Sequence, residues 1–258
     1  MVQVLPMRPA TVGELLDASV VLLRRCGLPL LLLGLVLAAA QQALSVALSA
    51  ATPGGPLRPA WWVWLAVWLG TESTVLAVLA APASVGAVRA LLGEPAGRRT
   101  LLTAPGRRWF GVLLAAAVLG PCATVAALLC GLPWLFLYAV TGLVVPVIVA
   151  DRAGASAVTR PFRLVFRGSG RVAGIRLLGY VGWLAIRLAV GYAGVLLLSS
   201  YESDLLSALP WVVVDAVAYP ALACLDACVH LENRMRIEGL DLALAGSDRP
   251  RAVVEAVG

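Results

Sequence analysis

Long apolar stretches alternate along this chain with short segments that carry arginine. Six stretches, at residues 27–51, 60–85, 109–129, 134–150, 172–198 and 205–228, are long enough to cross a hydrocarbon layer as helices. A helix suits that setting because it satisfies its own backbone polar groups. The weak alternation of a membrane β-barrel is not seen. The pattern predicts an all-α polytopic integral membrane protein. It has six transmembrane helices in one domain over 1–244, then a cytoplasmic tail over 245–258.

Three amphipathic elbows are predicted to lie in the membrane interface on the cytoplasmic side, at 11–25, 96–108 and 154–171. In the first, Thr11 can cap a helix with Glu14 as its capping-box partner. Leu15, Leu16, Val20, Leu22 and Leu23 supply its apolar side. A signal peptide ending near Ala47-Leu48-Ser49 is the alternative, and an acidic capped helix is wrong for its leading region. In the third elbow, Arg160, Arg163, Arg167 and Arg171 recur every three or four residues. Val158, Phe162, Val165 and Phe166 share that spacing on the other side. The guanidinium stripe is expected either to contact lipid headgroups or simply to set topology.

The opposite side is marked by turns at Pro53-Gly54-Gly55-Pro56, at Gly131-Leu132-Pro133 and at Tyr201 to Asp204. Trp61, Trp62, Trp64 and Trp68 form an interface belt beside the first turn. Pro146 is expected to kink the fourth span, and Gly239 to stop the last helix in a left-handed cap.

Composition strengthens this reading. The chain is 61% hydrophobic and 13% charged, against about one quarter charged in soluble domains. Its net charge of +6 comes from arginine alone, because there is no lysine. Eighteen of the twenty arginines fall in the elbows and termini, leaving Arg58 external and Arg187 within a span. The positive-inside rule then places both termini in the cytoplasm and the protein in the cell membrane. The expected partners are anionic lipid headgroups and other membrane proteins, not nucleic acid.

Chemistry is sparse. Five cysteines show no disulfide framework, and Cys224, Cys228 and His230 are too few for a convincing metal site. No metal and no cofactor is expected. Hydrolase, metalloprotease and nucleotide-binding motifs are absent, and His230 reads as a surface or interface residue. Asp226 and Glu232 are expected to pair with elbow arginines. The candidates are the polar residues inside spans: Gln41, Gln42, Glu72, Arg187 and Asp215. Arg187 and Asp215 sit at similar distances from a short loop on consecutive antiparallel spans, so an ion pair is plausible, and Glu72 can join it. They either line a substrate cavity or fix helix register as a buried structural cluster.

Three stretches carry a family resemblance. They are Arg8-Pro9-Ala10-Thr11-Val12-Gly13-Glu14-Leu15-Leu16-Asp17, the segment from Val145 through Gly174, and Glu232-Asn233-Arg234-Met235-Arg236-Ile237-Glu238-Gly239-Leu240-Asp241-Leu242. Together they resemble the actinobacterial branch of the glycerophosphoryl diester phosphodiesterase membrane-domain-like proteins. The resemblance covers nearly the whole chain. It implies a six-helix integral membrane protein with cytoplasmic amphipathic segments. The phosphodiesterase name belongs to members with an attached soluble catalytic domain, for which these 258 residues leave no room. Pro161 departs from the family, where relatives tend to carry serine. With Thr159 as cap, it falls in a first helical turn and is tolerated there.

The expected function is a non-enzymatic accessory or scaffold component of the cell envelope or an export system. The alternative is a transporter or lipid-handling permease using the Glu/Arg/Asp cluster. An enzyme acting on a phosphate-containing lipid ranks last, because no nucleophile, base or metal set is visible.

Overall fold

The computed structural model describes residues 10–51, 58–95, 97–129, 131–151, 159–167, 170–198, 204–247 and 250–255. The described chain is all-α, and six of its helical spans are long and apolar enough to cross a membrane. The Pro53–Pro56 turn, Val158, Cys130, Arg152 and Tyr201 to Ser203 lie outside the described residues.

α1 (Val12–Ala51) opens on the predicted capping box. The Thr11 amide donates to Glu14 Oε2 at 2.7 Å, and the Glu14 amide donates to Thr11 Oγ1 at 3.3 Å. The expected boundary between elbow and span appears inside this helix as a break at Gly27, with φ 54° and ψ −139°. Pro29 explains its position. A proline has no N–H for the carbonyl four residues back and crowds it, and glycine accepts the left-handed turn that results.

α2 (Pro59–Leu91) runs past the predicted end of its span and closes at Leu92. The second elbow holds a short α3 (Arg98–Thr103), and α4 (Arg108–Leu128) follows. The fourth span is broken into α5 (Leu132–Thr141) and α6 (Val144–Val149). The predicted kink is therefore present, displaced toward the N-terminus. Pro146 leaves the carbonyl of Gly142 without its donor, and the helix parts at Gly142–Leu143. α7 (Arg160–Arg167) is the third elbow, and Pro161 lies in its first turn as expected.

α8 (Arg171–Leu198) and α9 (Asp204–Glu238) form the last pair of spans. α9 ends as predicted, at Gly239 with φ 65°. Beyond it come α10 (Leu240–Ala245) and α11 (Pro250–Glu255). The segment read as a tail is docked where described: Val254 is fully buried, and its carbonyl accepts from Arg234.

α9 is the central post, with α1, α2 and α8 packed around it. α4 and α6 flank α2 on its other side. α9 and α2 are the most enclosed spans and α8 the least. The outward faces of α4 and α8 carry exposed Phe110, Leu114, Val125, Leu178, Val181 and Leu196. Such continuous apolar exposure suits hydrocarbon rather than water.

Small residues allow the close approaches. A Cβ on Gly34 of α1 would meet Pro220 and the Ala216 carbonyl of α9, whereas one on Gly182 of α8 would meet nothing. Gly34→Ala is therefore expected to destabilise the protein in detergent by about 1–3 kcal/mol, as overpacking does. Gly182→Ala should stay within about 0.5 kcal/mol of wild type. Thermal unfolding of the two variants side by side tests the α1–α9 contact.

Candidate functional site

Glu72 of α2, Arg187 of α8 and Asp215 of α9 meet inside the bundle. Arg187 Nη1 donates to Glu72 Oε1 at 2.7 Å, and Nε donates to Asp215 Oδ1 at 2.6 Å. Its Nη2 donates to the Tyr219 hydroxyl at 2.8 Å. The guanidinium also lies over the rings of Tyr219 and Trp68, 4.7 and 5.0 Å from their centroids. The second oxygen of each carboxylate has its own donor. Gln42 Nε2 donates to Asp215 Oδ2 at 3.1 Å, and the Tyr180 hydroxyl donates to Glu72 Oε2 at 3.4 Å.

Of the five predicted residues, four therefore converge. Gln41 does not join them: its Nε2 donates to the Trp68 carbonyl and the Thr71 hydroxyl, each at 3.2 Å, tying α1 to α2. Adjacent positions on a helix point about 100° apart, so Gln41 and Gln42 face different neighbours. Glu72 and Asp215 are 0% exposed and Arg187 1%. The charged atoms are thus enclosed in protein. Gln42, Trp68 and Tyr180 form part of that enclosure, and on their far side they line a cavity that opens toward the tryptophan belt.

A second pair lies lower on the same two helices. Arg176 Nε and Nη2 donate to Asp226 at 2.6 and 3.1 Å, and the guanidinium stacks 4.2 Å above Tyr138. Asp226 thus pairs with an arginine of α8 rather than of the elbow. Gly142, at the break of the fourth span, lies where any side chain would collide with this guanidinium. Arg171 then pairs with Glu232 at 2.9 Å and caps the Ala10 carbonyl at 2.6 Å.

These pairs form a ladder with one register. Moving from Arg187 to Arg176 on α8 is matched by moving from Asp215 to Asp226 on α9, about three helical turns each way. Antiparallel helices put such positions side by side. The sequence contains that signal, but a search confined to mid-span charges passes over Arg176 and Asp226.

The third polar group is a hub on Asp151, at the arginine-rich end. Asp151 receives Arg160 Nε, Arg234 Nη1 and His230 Nε2, each at 2.9 Å. Because an ionised carboxylate only accepts, the His230 proton sits on Nε2. Arg160 and Arg234 also pair with Glu238. His230 is 1% exposed, so its reading as a surface or interface residue is replaced by that of a buried hub member. The elbow stripe is corrected as well. Arg160 is 4% exposed and turns inward, and Arg171 is tied to Glu232. Arg163 and Arg167 remain exposed beside exposed Phe162 and Phe166, while Leu164 and Val165 form the buried face. The four arginines do not share one helix: Arg171 opens α8, and within α7 Arg160 is drawn inward by Asp151 and Glu238.

Among the described residues no group of three His, Cys, Asp or Glu side chains is placed to hold a metal ion. Cys224 and Cys228 are buried and free. No protein-family model, no curated protein and no solved structure matches the chain.

Arg187→Met leaves two buried carboxylates without their cation and is expected to cost about 3–5 kcal/mol. The triple variant Glu72→Gln, Arg187→Met, Asp215→Asn removes all three charges and should recover most of that loss, since a neutral apolar core often replaces a buried ion pair. Thermal unfolding in detergent compares the two.

Burial alone would raise the Asp151 carboxyl, but His230, Arg234 and Arg160 outweigh it and hold the group below its ordinary value. A depressed carboxyl stabilises the fold above the ordinary carboxylate range. That stabilisation is lost as pH falls through its lowered value. Asp151→Asn should therefore be less stable than wild type at pH 7, and the gap should begin to narrow only as pH falls below the ordinary carboxylate range, about pH 4. A pH series of unfolding temperatures checks this sign.

Proposed function

We propose that the protein is a non-enzymatic scaffold or accessory component of the cell membrane, whose intramembrane charges hold its helices in register. The observation that carries this reading is the enclosure of Arg187 between Glu72 and Asp215, with no member more than 1% exposed. A transport site needs its charges to meet water or substrate on at least one side. Here each charge meets another helix of the same bundle. Arg176–Asp226 and Arg171–Glu232 repeat the arrangement toward the arginine-rich end.

That end faces the cytoplasm in this reading, with both termini, because eighteen of twenty arginines are distributed on its side. The exposed Phe162, Phe166, Arg163 and Arg167 then rest at the membrane interface, where the guanidinium groups meet anionic headgroups. The segments that resemble the phosphodiesterase membrane-domain-like proteins support the same architecture. Arg171, Asn233 and Arg234 link them: Arg171 reaches Ala10 and Glu232, Asn233 donates to the Leu164 carbonyl, and Arg234 reaches Asp151. A lipid-handling permease is the second reading. What favours it is that Gln42 and Tyr180 touch both the charged cluster and the adjoining cavity.

The two readings separate in liposomes loaded with a pH-sensitive dye. After a pH jump, vesicles with reconstituted protein should equilibrate no faster than empty ones. A faster rate that Glu72→Gln abolishes would overturn the scaffold reading and favour the permease.

A further inference from the structure

α7 has one face held by the protein and one face exposed. Residues four apart on a helix stand within about 40° of each other, and neighbours about 100° apart. Phe162 and Phe166 therefore form one stripe, and Arg163 and Arg167 form a second beside it. All four are exposed. With Thr159 they line one shallow recess on the outside of the protein. The opposite face is fixed at two points. Arg160 donates to Asp151 at 2.9 Å and to Glu238 at 3.0 Å, and the Leu164 carbonyl accepts from Asn233 Nδ2 at 3.0 Å. Leu164 and Val165 are buried beneath. These ties set the rotation of the helix, so its aromatic and cationic stripes are presented outward in a fixed order.

The charge on the outward face has no counterpart in the chain around it. Arg160 and Arg171 are paired with carboxylates, but among the described residues Arg163 and Arg167 meet none. The sequence on either side, 152–158 and 168–170, contains no Asp or Glu. Two positive charges are thus left to an outside partner, one helical turn apart, about 6 Å along the axis. The aromatic stripe identifies its surroundings. Rings beside guanidinium groups match the boundary of a bilayer, where acyl chains take the rings and phosphates stand level with the arginines.

We infer that the outward face of α7 binds a lipid that carries two phosphates in one headgroup, a diphosphatidylglycerol, with one phosphate on Arg163 and the other on Arg167. This rests on the reading that places α7 at the cytoplasmic membrane interface, and adds which lipid meets it there. A headgroup with one phosphate neutralises one guanidinium and leaves the second to another molecule. Where a short bridge links two phosphates, the first contact holds the second phosphate beside its partner, and that second contact becomes intramolecular. Arginine suits the task, because its planar fork keeps its charge and can grip a phosphate with two donors. Arg160 and Asn233 already hold α7 in place, so binding does not have to order the helix.

Native mass spectrometry of the full chain in detergent counts bound lipids one at a time. The probes are diphosphatidylglycerol and, at twice the molar concentration, phosphatidylglycerol, which supplies the same number of phosphates singly. The first diphosphatidylglycerol should bind about tenfold more tightly or better. Arg163→Gln and Arg167→Gln, both at exposed positions, should each weaken it about fivefold. Each should also remove most of the preference, because one phosphate then lacks its partner. Arg98→Gln combined with Arg99→Gln takes two exposed charges from the second elbow and should leave the preference intact. Equal binding of the two lipids per phosphate would overturn the proposal, as would a preference unchanged in both single variants. So would tighter binding of phosphatidic acid, which would put both guanidinium groups on one phosphate. The placement of α7 has its own readout. Phe166→Cys carrying an environment-sensitive dye, in phosphatidylcholine nanodiscs, should be quenched by lipids spin-labelled near the headgroup. Quenching without a lipid preference overturns the two-phosphate site alone, whereas absence of quenching overturns the placement and the site together.

Discussion

A charge placed in hydrocarbon must find its opposite inside the same molecule. Six apolar helices gain little from one another by the hydrophobic effect once lipid surrounds them, since lipid is as apolar as they are. Packing and polar ties must then decide which helices touch and in what register. Arg187 is held by helices on two sides, α2 through Glu72 and α9 through Asp215. One guanidinium thus connects three spans. Sliding α8 by a single residue would rotate it about 100° away from both carboxylates, and the ladder at Arg176–Asp226 would fail with it. Shape alone sets no such penalty, because Ala and Leu positions tolerate a slip better than charges do.

The fold was legible in the sequence wherever one local rule governs. Apolar length gave the spans, Thr11 and Glu14 gave the first cap, and Gly239 gave the last stop. Each of these depends on residues within a turn of each other. The break in the fourth span was legible in kind but not in place, because a proline disrupts the turn before it, at Gly142, rather than its own position. The convergence of Gln42, Glu72, Arg187 and Asp215 was foreshadowed by the cost of leaving a charge alone in a membrane. The hub at Asp151 was not. Its members, Arg160, His230, Arg234 and Glu238, are brought together by the fold from separate segments, and each alone reads as a polar residue near a helix end. Charge pattern could not say which elbow arginines turn inward, because that depends on where the carboxylates of α9 emerge.

The two ends of the molecule manage polarity differently. At the arginine-rich end, Arg160, Arg234, Glu238 and the Val254 carbonyl tie α7, α9 and α11 to one another and to Asp151, just past α6, and the described polar chains are largely matched within the protein. At the tryptophan end there is little charge. Helices there are held by aromatic contact, such as Tyr192 of α8 against Trp211 of α9 at 5.4 Å and Trp134 of α5 against Tyr180 of α8 at 5.3 Å. Aromatic side chains pack well but leave irregular space between them, and α5 is too short to fill it. The cavity is thus a consequence of span lengths: α2, α8 and α9 are long, and the fourth span is short and broken.

The sealed cluster and the open cavity share a wall, and this ties the two halves of the molecule together. Gln42, Trp68 and Tyr180 each present one side to the charges and the other to the cavity. None of the three is charged, so the wall insulates Arg187 from whatever enters. Yet each also sets the position of a charged atom: Gln42 holds the second oxygen of Asp215, Tyr180 that of Glu72, and Trp68 the face of the guanidinium.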